Sequence, residues 1–399
     1  MAAGYNLLEH RTNESRNMSR TMSAWKPAYS ITPRVARLLM EIEAARSEVE
    51  RTPLPPAVEA ELRRQARVRS THYSTRIEGN RLTLAEADRV IRGARTEFHG
   101  RERDVREVHN YWNALLRVEE WAEAKRPVSE DMMRRLHALV QHGPRSRPTP
   151  YRDGQNVVRD SASGAIVYMP PESRDVPGLM RAMVKWIGEA EKSGAPVPLI
   201  AGLAHYQFVT IHPYYDGNGR TARLLATFIL HRGGYGLHGF LSLEEHHARD
   251  LAGYYRALVV HPHHNFYEGR AEADLTPWVE YFVSTLAVTF EAVRKEARRL
   301  AREGVPVEPE PLRKLDHRAR VVLGLFANAD RIAAPDVARA LGLSNRMARV
   351  LLKQWVRDGW LAVADTSRRK RAYKLTAIYR QYIGGLSAKR GGKDGRKKA

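Results

Sequence analysis

The chain has 399 residues, 43% of them hydrophobic and 8% aromatic, long enough for two or three domains and helix-rich in character. It contains no cysteine, which excludes disulfides, thiolate metal sites and a cysteine nucleophile, and no apolar run approaches the roughly 18 residues that a bilayer span needs. The formal net charge is +21, concentrated late: Arg313 to Arg380 is basic, and Lys389, Arg390, Lys393, Arg396, Lys397 and Lys398 face only Asp394 in a glycine-laced tail. That balance favours a polyanion such as nucleic acid as partner, and serves solubility equally well.

Residues 1–24 are polar and read as a loosely ordered lead. Thr32-Pro33 opens a helix predicted to about Arg51, and Thr52 to Pro56 connects it to a second, from Pro56 through Glu78. Thr83-Leu-Ala-Glu86 is a capping box for a short helix ending near Gly93. A helix over Glu102 to Ala124 is expected to bury Val105, Val108, Trp112, Leu115 and Leu116, and another spans Ser129 to Gln141. Val157-Val158 and Ile166-Val167-Tyr168 flank a polar turn and predict a small β-hairpin closed by Pro170-Pro171. Helices follow at about Val176 to Ser193 and Pro198 to Thr210, and the last long one runs from Thr276-Pro277-Trp278 to Glu303. Gly304 to Pro311 holds three prolines and is a linker.

The segment delivered by the Pro198 helix is the most informative: His212-Pro-Tyr-Tyr-Asp-Gly-Asn-Gly-Arg-Thr-Ala-Arg223. Gly217-Asn218-Gly219 can expose several backbone amides without Cβ interference, and the Pro-free run Thr221 to Leu230 predicts a helix behind it. The loop would then lie at a helix N-terminus, where free N–H groups favour phosphate. Arg220 and Arg223 share a helix face and can grip phosphate oxygens, Asp216 is placed to hold Mg²⁺ against them, and His212 can accept a hydroxyl proton. At every functional position the segment resembles the signature of the Fic (Fido-domain) family, mostly protein adenylyltransferases. The one departure is Tyr214, where the family usually has Phe.

A second motif, Ser74-Thr75-Arg76-Ile77-Glu78-Gly79-Asn80, resembles the family's N-terminal inhibitory motif. Ser74 and Glu78 lie one turn apart, and Gly79-Asn80 both tolerate a left-handed helix stop. The resemblance implies that Glu78 pairs with Arg223 and blocks productive docking of the ATP γ-phosphate. It also implies a hairpin flap over the active site at residues 151–171, a phosphate cradle from Gly217 through Arg223 including Thr221 and Ala222, and a nucleotide-base pocket at Tyr254 and Tyr255. Gly219 stands where phosphorylating relatives carry Lys, which favours nucleotidyl transfer. His261, His263 and His264 lack the carboxylate or cysteine of a closed zinc site, and no metal is assigned there.

Residues 316–375 have the layout of a winged helix-turn-helix: helices at Asp316 to Ala329, Ala334 to Leu341 and Ser344 to Asp358, then strands at Trp360 and Ala372. Met347, Val350, Leu351 and Val356 are the expected buried residues of the third helix. If the module binds DNA, Asn345, Arg346 and Arg349 meet the major groove, and Arg368, Arg369, Lys370 and Arg371 meet phosphate. Dimerisation or partner docking is the alternative use.

The expected fold is mainly α, a Fic-type helical bundle with a small hairpin followed by a winged helix. Its divisions are an N-terminal region with the inhibitory motif at 1–95, a catalytic core at 96–303, a linker at 304–311, the winged helix at 312–383 and a disordered basic tail at 384–399. The function implied is Mg²⁺-dependent transfer of AMP from ATP to a Ser, Thr or Tyr hydroxyl of a target protein, with automodification and a homodimer left open. The alternatives are a DNA-binding regulator with a nucleotide-sensing core, or an enzyme that also removes AMP. The N-terminus lacks a signal-peptide pattern, so a cytoplasmic location is expected.

Overall fold

A computed structural model describes residues 25–93, 100–160, 163–302, 310–313, 315–327, 329–365, 367 and 371–380. The expectations for residues 1–24, the linker at 304–309, Arg368 to Lys370 and the basic tail lie outside the described residues. The chain divides into two compact units, Met1–Glu303 and Gly304–Ala399.

The first unit is helical: α1 Pro33–Arg51, α2 Pro56–Ile77, α3 Leu84–Ile91, α4 Glu102–Glu123, α5 Glu130–His142, α6 Val176–Lys192, α7 Val197–Ile211, α8 Asn218–Arg232, α9 Glu244–Arg249, α10 Leu251–Leu258 and α11 Thr276–Arg302. The boundaries follow local chemistry. Thr32 caps α1, Thr83 and Glu86 complete the capping box of α3, and Ser129 caps α5. α7 and α8 are buried on nearly every side and pack on each other, with α4, α5 and α6 around them and α1 against α11. Between α5 and α6, β1 (Val158–Arg159) pairs antiparallel with β2 (Ile166–Tyr168) in the expected hairpin.

The burial of two helices bears on the site. In α4 the buried stripe runs through Val108, Tyr111, Leu115 and Val118, leaving Trp112 and Leu116 half-buried. α2 has no apolar stripe: apart from Ala66, Val68 and Ile77 it buries Ser70, Thr71, His72, Ser74 and Thr75. Of these hydroxyls, Ser74 accepts from Arg223 of α8, while Thr75 donates back to the Thr71 and His72 carbonyls of its own helix.

The second unit contains α12 Glu310–Arg313, α13 His317–Leu323, α14 Ala334–Leu341 and α15 Asn345–Arg357, then β3 Leu361–Asp365 paired antiparallel with β4 Ala372–Leu375. Its own core joins Val322, Val337, Leu352, Trp355, Trp360 and Tyr373. The α13 helix stops six residues short of the predicted end and passes into a 3₁₀ turn, Gly324–Ala327. In α15 the buried residues are Ala348, Leu351, Leu352 and Trp355. Met347 and Val350, expected inside, are 47% and 53% exposed, and Val356 is half-buried. Trp355 fixes the helix rotation, because its ring packs on Trp360 at 5.3 Å and turns the Met347 and Val350 side outward.

Candidate active site

α7 ends on His212, which takes a left-handed conformation with φ 51° and so breaks the helix at the motif's first residue. The backbone turn is held from outside by the buried Arg152: its Nε donates to His212 O at 3.0 Å, its Nη1 to Gly154 O at 2.9 Å, and its Nη2 to Pro171 O. His212 Nδ1 lies 3.3 Å from Val209 O. A carbonyl can only accept, so Nδ1 carries the proton and Nε2 keeps its lone pair. Burial pushes the imidazole pKa down to about 4 and Arg152 pushes the same way, while Val209 O, Glu78 and Asp216 partly oppose it. His212 is therefore neutral at pH 7.

The loop turns on Asn218. Its Oδ1 accepts from Tyr214 N at 3.0 Å and its Nδ2 donates to Tyr214 O at 2.7 Å, so this side chain is engaged in shaping the loop. Gly217 sits at φ 77°, where a Cβ would meet Gln141 Nε2 at 2.7 Å. No side chain caps α8, which leaves the amides of Asn218, Gly219 and Arg220 without a capping acceptor among the described residues. The Asp216 side chain is 60% exposed, and its Oδ1 accepts from Gly217 N at 2.6 Å and Arg220 Nη2 at 3.2 Å. Burial works against its charge, but Gln141, Arg220, the Gly217 amide and Arg103 outweigh it and hold its pKa below the usual value. Arg220, expected to grip phosphate, is instead buried between carboxylates, with Nη1 3.6 Å from Glu107 Oε1.

Arg223 is also buried, and α2 holds it. Its Nε donates to Ser74 Oγ at 2.8 Å, and its Nη2 donates to Ser74 O at 3.0 Å and to Glu78 Oε1 at 2.9 Å. Burial opposes the guanidinium charge, yet Glu78, Tyr254 and Tyr111 outweigh it and raise its pKa further. Glu78 lies close over the start of α8: a Cβ on Gly219 would stand 2.6 Å from Glu78 Oε1. Gly79 then takes φ 90°, and Asn80 Nδ2 reaches Glu107 Oε2 at 3.1 Å. One carboxylate, Glu107, thus touches both Asn80 and Arg220 and links the two motifs.

Residues 127–230 match the Fic/DOC family. Over that stretch the chain is similar to Fic domains. Protein adenylyltransferase Fic of Drosophila virilis is 28% identical over 179 residues, which is 43% of this chain and 34% of that protein, so the chain matches about a third of that relative's length. A Fic family protein from Desulfovibrio desulfuricans G20 superposes with a TM-score of 0.56 at 27% identity, covering 88% of this chain and 99% of that one. A Fic domain containing signaling protein from Bacteroides thetaiotaomicron VPI-5482 gives 0.57 at 25% identity, covering 66% and 97%.

Several residues that support the loop gave no signal in the sequence. His137 Nε2 meets Asp216 O at 2.8 Å, and its ring stacks on Tyr214 with centroids 3.6 Å apart. Tyr215 donates to Asp153 Oδ1 at 2.7 Å and accepts from Gly154 N at 2.8 Å. These groups bond to backbone or to single distant partners, so no spacing marks them; Arg152 likewise sits in an unremarkable Pro- and Arg-rich loop. Of the two tyrosines on α10, Tyr254 is buried with its hydroxyl 2.9 Å from His205 Nε2, while Tyr255 is 48% exposed. Thr221 and Ala222 are buried in α8, and the Thr221 hydroxyl donates to Gly217 O at 2.8 Å. In the second unit Asn345, Arg346, Arg349 and Arg371 are exposed.

Proposed function

We propose that the protein transfers AMP from ATP to a serine, threonine or tyrosine hydroxyl of a target protein, its own chain included, and that Glu78 restrains the reaction by holding Arg223. The observation that carries this reading is the neutral His212, with Nε2 unprotonated, on the loop that leads into the uncapped start of α8. In the step, the target hydroxyl oxygen bonds to the α-phosphorus as the bond to the bridging oxygen of pyrophosphate breaks. The hydroxyl proton passes to His212 Nε2, and pyrophosphate leaves with the electron pair. The amides of Asn218, Gly219 and Arg220 would stabilise charge on the phosphate oxygens. Arg223, once released by Glu78, would hold the outer phosphates, while Arg220 keeps Asp216 and Glu107 in place.

Asp216 suits a magnesium ion: its carboxylate is a hard oxygen donor, largely exposed, and magnesium commonly takes one protein carboxylate with phosphate and water completing the shell. Bound there, the ion would neutralise phosphate charge. The second unit we read as a winged helix-turn-helix, because three helices lead into a two-stranded antiparallel hairpin and Ser344 caps the third.

The test is mass spectrometry of Glu78→Gly protein incubated with ATP and Mg²⁺, beside Glu78→Gly/His212→Ala. A gain of one AMP in the first alone is expected. Equal labelling of both would remove His212 from the base role, and native protein labelling as fast as Glu78→Gly would remove the restraint.

A further inference from the structure

We infer that the exposed face of α15 is a binding site for duplex DNA, a function separate from nucleotidyl transfer. Charge first locates the site. Residues 310–380 contain 16 Lys and Arg against six Asp and Glu, a net +10, and residues 381–399 add six against one. These 90 residues therefore carry +15 of the chain's +21.

Within the second unit, α15 is the element that concentrates this charge. Its sequence, NRMARVLLKQWVR, has four cations and no acid. Arg346, Arg349, Lys353 and Arg357 are all exposed. At 3.6 residues per turn they fall with Val350 on roughly a third of the helix circumference, in a stripe about 17 Å long. No ion pair joins any of the four to a carboxylate among the described residues. Helices of the first unit behave otherwise: Arg37, Arg46, Arg92, Arg103 and Arg135 each pair with a carboxylate four residues away on their own helix. Arg346 also occupies the first turn of α15, where the helix dipole disfavours a cation and favours an anion. An external anion bound at that end would offset the cost.

The shape of the face selects the anion. A stripe about 17 Å long exceeds the roughly 12 Å width of a major groove, so its N-terminal half can meet base edges while Lys353 and Arg357 reach phosphates on the groove wall. Asn345, Arg346 and Arg349 at the N-terminal end carry the side-chain types that read adenine and guanine in pairs of hydrogen bonds. Met347 and Val350, turned outward by the Trp355 anchor, offer apolar contacts of the kind a thymine methyl accepts. A membrane surface would ask for a broader apolar face than these two residues provide.

The experiment is fluorescence anisotropy of the full-length chain with a labelled 30-base-pair duplex of mixed sequence, at 50 and 200 mM salt. Two phosphates neutralised by Lys353 and Arg357 predict roughly a tenfold weakening between the two salts. The variant Arg346→Ala/Arg349→Ala/Lys353→Ala/Arg357→Ala should lose at least tenfold in affinity and most of the salt slope, with an unchanged melting temperature. Arg346→Lys/Arg349→Lys should keep the affinity for mixed duplex, yet lose enrichment of a preferred sequence from a random pool. The inference is overturned if the quadruple variant binds duplex as the native chain does, which would assign binding to the wing or tail. It is equally overturned if single-stranded RNA or phosphatidylserine vesicles compete better than duplex DNA.

Discussion

Replacing Glu78 by Gln keeps the side chain's shape and removes its charge, and it should destabilise the fold while improving ATP binding. Arg223 is 2% exposed and Glu78 24%, with 2.9 Å between Nη2 and Oε1. Removing one partner of a fully buried pair costs about 3–5 kcal/mol. Here the carboxylate is partly solvated and Ser74 keeps two bonds to the guanidinium, so about 2 kcal/mol is the reasonable figure. For the unit Met1–Glu303 that lowers the melting temperature by roughly 3 °C. The same 2 kcal/mol no longer opposes a γ-phosphate, which corresponds to about a thirtyfold gain in ATP affinity. ADP, with no γ-phosphate, should gain much less. The assay is calorimetric titration of ATP and ADP into Glu78→Gln/His212→Ala and into His212→Ala, with thermal melts of both. Unchanged melting together with an unchanged ATP-to-ADP ratio would refute the reasoning, for Ser74 alone would then satisfy Arg223.

Gly219→Ala places a methyl 2.6 Å from Glu78 Oε1 and must push that carboxylate aside; automodification should rise above native, though below Glu78→Gly, as read by the AMP mass gain. The Tyr214 hydroxyl is buried with no hydrogen-bond partner among the described residues. Tyr214→Phe should therefore gain about 1 kcal/mol and raise the melting temperature. His137 and His247 are buried, and burial chiefly lowers their pKa values to about 4 and about 3. Each folded value lies below the unfolded 6.5, so the unfolded state binds more protons in between. Stability is then full above pH 6.5 and falls as pH drops toward 4, by roughly 2 kcal/mol per residue at pH 5. Burial raises the Glu244 pKa, which stabilises at low pH and offsets part of the loss. Thermal melts from pH 8 to 5 should show a net decline, and a flat profile would contradict it.

Local chemistry made much of this fold legible. Thr83 with Glu86 forms the capping box read for α3, Thr32 and Ser129 cap helices read as beginning there, and Gly217 with Gly219 lies at the start of α8 as the glycine spacing required. The contact between Glu78 and Arg223 spans 145 residues and was reachable only through family resemblance, since no periodicity relates the two. Helix rotation was the other gap. In α15 the sets Met347, Val350, Leu351 and Ala348, Leu351, Leu352, Trp355 both have helical spacing, and only the Trp355 contact with Trp360 selects between them. Arg220 looked like a phosphate ligand because its counter-charge, Glu107, comes from α4 more than a hundred residues away.

Because Glu78 is tethered to the site that it covers, its carboxylate is an internal ligand whose local concentration never dilutes. Restraint of this kind sets a threshold instead of an absolute block: free nucleotide must exceed its intrinsic dissociation constant by the factor that the Glu78–Arg223 pair imposes. At about 2 kcal/mol that factor is roughly thirty, so the resting chain would respond to nucleotide over a higher range than its bare pocket. A partner that draws away the C-terminal turn of α2 would lower the threshold without touching the pocket. Under the proposed restraint, the end of α2 would act as a dial on nucleotide sensitivity.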